Sequence, residues 1–121
     1  MATPRTWNED QPIYRQLLDE IVARILDGTY PEGQLLPSVR QLADDYQVNP
    51  LTVAKAFQEL VRGDIAEKKR GIGTMVGKGV RKALSARERA KFMQEEWPAI
   101  VARMERMDID VVALLKSVPN K

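Results

Sequence analysis

A mainly α fold carrying one small β-wing, followed by a C-terminal helical region, is what this sequence of 121 residues predicts. Three observations predict it. Apolar residues recur at helical spacing in three successive segments, the last ending near Gly63. Two short β-favouring runs then flank Arg70-Gly71-Ile72-Gly73, whose glycines permit a tight hairpin tip. Beyond Ser85 a new apolar period begins, on a stretch too short to own a core.

Composition excludes several function classes. An apolar content of 44% is enough for one compact domain with a helical appendage. No apolar run could span a bilayer, and the N-terminus lacks a signal peptide's apolar region, so a cytoplasmic protein is expected. Cysteine and histidine are both absent. That removes disulfides, thiolate zinc sites and serine–histidine triads, fits a reducing compartment, and leaves no cofactor expected. The net charge of +2 says little, but its distribution says more. Lys68, Lys69, Arg70, Lys78, Arg81, Lys82 and Arg87 follow one another with no acid among them, while many acids lie upstream. Such local asymmetry is the footprint of a polyanion-binding surface, with a solvated basic loop as the plainer alternative.

Residues 1–9 lack periodicity and should be loose, with Trp7 docking on the first helix. Pro12 reads as a first-turn proline with Asp10 or Gln11 as its cap. Ile13, Leu17, Leu18, Ile21, Val22 and Ile25 form a broad apolar stripe, and Gly28 closes this core helix in the left-handed conformation. Pro31-Glu32-Gly33 is a turn, and Leu35-Leu36 a very short strand. Ser38 then caps a second helix with Val39, Leu42 and Ala43 facing inward. Arg40 falls in its first turn on the outer side, where the helix dipole disfavours a cation. A phosphate or base edge would neutralise it; a purely structural role is the alternative.

Asp45-Tyr46-Gln47-Val48 makes a tight connection to the third helix, which Asn49 caps and Pro50 opens. Val53, Ala56, Phe57 and Leu60 mark its buried face, and Leu51, Lys55, Gln58 and Arg62 the opposite one. No acid occurs from Tyr46 to Gln58. Free N–H groups and a positive dipole end, unopposed by carboxylates, are what a DNA recognition helix offers phosphates and base edges. An ordinary amphipathic helix would look the same in isolation, so the neighbours decide. A short helix, a turn with buried Val48 and a longer helix make a helix-turn-helix. The strands expected over 65–69 and 74–76 then form a wing whose arginine can reach a narrow minor groove.

Four strings now make a more specific case. Pro12-Ile13-Tyr14-x-Gln16-Leu17, Gly28-x-Tyr30-x-x-Gly33-x-x-Leu36-Pro37-Ser38-x-Arg40-x-Leu42-Ala43, Val48-Asn49-Pro50-x-Thr52-Val53 and Arg70-Gly71-x-Gly73-Thr74-x-Val76 occur in order. Together they resemble the GntR family of bacterial transcription regulators. The short tail resembles the YtrA-type branch, which carries a small helical dimerisation region instead of a large ligand-binding domain. The resemblance implies a winged helix-turn-helix bound as a homodimer to a palindromic operator in double-stranded DNA, mostly as a repressor. It also implies Ser38, Asn49 and Thr52 on phosphates and Arg40 and Lys55 near base edges. Arg70, Gly71 and Gly73 fall at the wing tip, with basic Lys69 beside them. Leu51 stands where the branch often has a polar residue, which makes a thymine methyl its target. Pro50 and Ala54 lack the arginines of some other branches.

The expected division is a DNA-binding domain over 1–79 and a helical dimerisation tail over 80–121. Ser85-Ala86-Arg87-Glu88 reads as a capping box that starts a new helix. Ala90, Met93, Trp97, Ile100, Met104 and Met107 form a heptad-like seam, broken or kinked by Pro98 near Glu96-Trp97. Asp110 can cap a last helix holding Val111, Leu114, Leu115 and Val118. These helices could pack on the first helix, but their small size favours pairing with a second chain through Met93, Trp97, Ile100, Met104, Met107, Leu114 and Leu115. The methionines would suit a hydrophobic effector, yet no polar constellation defines one.

Two rival readings stand beside this one. Asp64 with Glu67-x-Lys69 superficially matches metal-dependent nucleases, but so short a segment offers a cation too few oxygens, and no enzyme is expected. Leu51 and the modest net charge also fit a winged helix that binds DNA without sequence choice or contacts protein.

Overall fold

The computed structural model describes Trp7, Glu9 and residues 11–119. The Asp10 cap and most of the loose N-terminus therefore lie outside the described residues. The chain forms two compact units, Met1–Leu84 and Ser85–Lys121.

The first unit is helical with a two-stranded antiparallel wing. In order it contains α1 (Ile13–Leu26), α2 (Val39–Tyr46), α3 (Pro50–Arg62), β1 (Ala66–Lys69), β2 (Gly73–Val76) and the start of α4 (Val80–Lys91). Ala66 faces Val76 and Lys69 faces Gly73 across the wing. The strand expected at Leu35-Leu36 is reduced to a single bridge from Leu35 to Met75. It still extends the wing's hydrogen bonding, because Leu36 N–H donates to the Thr74 carbonyl at 2.8 Å and Val76 N–H to that of Gln34 at 2.9 Å. Leu17, Ile21 and Ile25 of α1 are fully buried with Leu42, Val53, Leu60 and Val76. The inward stripes of three helices and the wing's last residue thus share one core.

Several local expectations gave way to packing. Pro12 is the cap residue itself and makes no side-chain cap bond, so it is not inside the first turn. Its carbonyl accepts from Arg15 N–H at 3.1 Å, and Gln16 Nε2 donates to the Gln11 carbonyl at 2.8 Å. Ile13, at the very start of α1, is 41% exposed instead of joining the stripe. Trp7 does pack on the core, and its ring also meets Tyr46 at the end of α2 at a tilt, centroids 6.5 Å apart. Gly28 does take the left-handed conformation past the end of α1, with φ +86°.

Ser85 does not begin a helix. α4 already starts at Val80, because Val80 and Leu84 are buried in the first unit's core. A distant side chain replaces the local capping box: Glu32 accepts from Arg81 N–H at 2.8 Å. The Arg81 guanidinium in turn donates to the Leu26 carbonyl at the end of α1, at 3.0 Å. Gly77 makes the sharp entry possible, since a Cβ there would lie 2.9 Å from Val80 Cγ1 and 3.1 Å from the Ile65 carbonyl. The backbone N–H groups of Arg81 and Gly79 hold the Glu32 carboxyl below the usual glutamate range. A folded-state pKa below the unfolded one stabilises the fold at neutral pH, and that share is lost as pH falls through the carboxylate range. Glu32→Gln is therefore expected to be less stable than the parent near pH 7, with the gap closing on acidification. Chemical unfolding across pH checks this, and a pH-independent gap would refute it.

In the second unit α4 runs into a π-helical turn, Phe92–Glu96, then α5 (Trp97–Arg106) and α6 (Val111–Lys116). The break expected near Pro98 is this wider turn, in which Trp97 N–H bonds the Phe92 carbonyl. Pro98 has no N–H for a regular bond and its ring would strike the preceding turn, which one π turn relieves. α5 ends at Met107, Asp108 turns left-handed at φ 56°, and Ile109 N–H closes on the Met104 carbonyl at 2.9 Å. Asp110 caps α6 by accepting from Val112 N–H at 2.9 Å and Ala113 N–H at 3.4 Å. No helix among the described residues is long and apolar enough to cross a membrane.

Candidate nucleic-acid interface

Two capped helix starts lie close along the chain. Ser38 Oγ accepts from Gln41 N–H at 3.0 Å, and Asn49 Oδ1 from Leu51 N–H at 2.8 Å, so each cap satisfies one otherwise orphaned donor. The turn between them is stiff. Gln47 is left-handed at φ 54° with its Nε2 donating to the Asp44 carbonyl at 2.7 Å, and Val48 N–H bonds the Ala43 carbonyl at 3.0 Å. Half-buried Val48 packs against the core and holds α3 at the end of α2.

Arg40, Leu51 and Lys55 are exposed on these helices, and Thr52 is half-buried in the first turn of α3. Leu51 is 77% exposed, a large apolar side chain beside the polar start of a helix. Arg40 makes no ion pair among the described residues, so its charge is directed at solvent. Lys55 is oriented: its Nζ stands 4.1 Å from the centroid of the Tyr14 ring on α1. In the sequence Tyr14 stood out only as part of the string Pro12-Ile13-Tyr14-x-Gln16-Leu17, because its partner lies on another helix.

At the wing, Ile72 N–H closes on the Lys69 carbonyl at 2.9 Å, with Gly71 at φ +75° in the turn. A Cβ at Gly71 would meet open space, so the demand for glycine there is conformational. Arg70, Gly71 and Gly73 are exposed, and Ile72, not anticipated as an interface residue, is 70% exposed at the tip. Lys69 is ion-paired to Glu67 at 3.1 Å, which leaves Arg70 as the tip's outward cation. A groove of about 510 Å³ between α2 and the wing brings Ser38, Lys68, Lys69, Gly71 and Gly73 together, over an apolar floor that includes Val39 and Phe57. Of the nuclease-like trio, Asp64 sits in a left-handed turn at φ 60° and Glu67 is ion-paired to Lys69, and no metal-binding cluster occurs among the described residues.

In the second unit only Met104 of the seven expected pairing residues is buried. Trp97 is half-buried and stacks on Phe92 at 6.2 Å, while Met93, Ile100, Met107, Leu114 and Leu115 are exposed.

Residues 13–76 match the family model described as bacterial regulatory proteins, gntR family. Over 73 residues the chain is 41% identical to the HTH-type transcriptional repressor YtrA of Bacillus subtilis (strain 168), covering 60% of this chain and 56% of that protein. The chain thus spans about half the length of curated relatives of this kind. A GntR family transcriptional regulator from Listeria monocytogenes superposes with a TM-score of 0.76 at 30% identity, covering 93% of this chain and all of that one. AraR(DBD), solved in complex with operator ORX1, superposes with a TM-score of 0.54 at 28% identity over 62% of this chain and 92% of its own.

Proposed function

The chain belongs to the gntR family of bacterial regulatory proteins, and from that premise we propose that it is a sequence-specific transcriptional repressor. It binds double-stranded operator DNA in the cytoplasm as a homodimer, each copy presenting the start of α3 and the wing tip to successive grooves of one palindromic site. The observation that carries this reading is the pair of capped, rigidly joined helix starts bearing exposed Arg40, Leu51 and Lys55 on the unit that also carries the Arg70 wing tip. Ser38, Asn49 and Thr52 take phosphates, Arg40 and Lys55 approach base edges, Leu51 meets a thymine methyl, and Arg70, Gly71 and Gly73 enter the minor groove with Lys69 behind them. The exposed apolar residues of the second unit supply the pairing surface. The repressor YtrA and the AraR–operator complex support the DNA partner by likeness.

The test is competition. The preferred site is first selected from random duplexes and from DNA upstream of the gene. At physiological salt, binding to that site should exceed binding to bulk DNA by about 10³-fold or more. Equal affinity for every duplex would replace this reading with a nonspecific architectural one.

A further inference from the structure

The geometry points to Tyr14 as a positioning residue that holds the Lys55 ammonium at its place on the DNA-reading face. The inference rests on the function proposed above and deepens it. Lysine is a poor specificity element by itself, because its ammonium is a point charge on a flexible four-carbon stem. Here the stem's freedom is curtailed. Nζ lies 4.1 Å from the Tyr14 ring centroid, well inside the range in which a ring face attracts a cation. Tyr14 is half-buried in the first turns of α1, and α1 packs on α3 through fully buried Leu17, Ile21, Val53 and Leu60. The ring is therefore anchored by a different helix from the one it serves. That helix belongs to the rigid core, so the ammonium's position is set by tertiary packing and not by the rotamer preferences of α3. The ring face offers the ammonium no lone pair, so the N–H donors turned away from it remain available to an acceptor. A lysine pre-placed in this way gives up less freedom when it meets a base edge.

A double-mutant cycle on the full-length protein, read on the selected site and on its single-base variants, tests the assignment. Lys55→Gln should weaken binding about tenfold and flatten preference at one base pair per half-site. Tyr14→Leu should weaken binding about two- to fivefold and flatten preference at that same pair. In Lys55→Gln protein, Tyr14→Leu should add nothing further. Tyr14→Phe, which keeps the ring, should restore wild-type preference. Thermal unfolding of each variant separates a lost fold from a lost contact. The assignment is overturned by full preference in Tyr14→Leu, by additive losses in the double variant, by Tyr14→Phe as weak as Tyr14→Leu (a direct hydroxyl contact), or by preference lost only with the fold. A Lys55→Gln protein that reads DNA like wild type removes Lys55 from the interface altogether. Loss of site preference in the wild-type protein itself would instead sink the repressor reading.

Discussion

Replacing Arg40 by alanine is expected to weaken operator binding by about 1–3 kcal/mol per half-site and to relax preference at one base pair. The position explains the size. Arg40 is exposed in the first turn of α2, two residues after the Ser38 cap, where the positive end of the helix opposes a cation. Among the described residues no carboxylate pairs with it. An arginine kept in a locally unfavourable place and left unpaired is poised to gain most when a bidentate acceptor arrives. Because the side chain is exposed and outside the core, the variant should unfold like the parent. Titration against the selected site and its base variants checks the claim. An equal loss on every sequence would reduce Arg40 to a phosphate contact, and unchanged binding would remove it from the interface.

Ile100→Asp is expected to convert the protein to a monomer and to lower affinity for the palindromic site by about 10²–10⁴-fold, since two half-site contacts then no longer act as one. Ile100 lies on α5 in a unit whose described residues bury only Met104 while exposing Met93, Met107, Leu114 and Leu115. Leu115 alone is 61% exposed. So much apolar side chain on so few residues calls for a partner surface, and a carboxylate within it would be stranded away from water. Sedimentation at micromolar concentration reads the result directly. An intact dimer of Ile100→Asp would take Ile100 out of the pairing surface, whereas a monomeric wild type would reject pairing by the tail.

What the sequence determined by itself was whatever is settled within about one helical turn. The Ser38, Asn49 and Asp110 caps, the left-handed glycines at Gly28 and Gly71, and the disturbance around Pro98 all follow from short-range bonds and sterics, and each is found where the residues put it. The same locality made the helix-turn-helix and wing legible, together with the exposure of Arg40, Leu51 and Arg70. Only the tertiary structure decided the rest. A sound capping box at Ser85 lost to Glu32, forty-nine positions from Arg81, because burying Val80 and Leu84 outweighs one local cap. Ile13 fell outside its own stripe, and the ring that Trp7 meets belongs to Tyr46, the last residue of α2. Lys55 acquired an orientation only once α1 brought Tyr14 beside it. Hydrogen bonds between near neighbours are written in order along the chain. Contacts made by burying apolar area have no such order, and they become readable only when the core has chosen which helices touch.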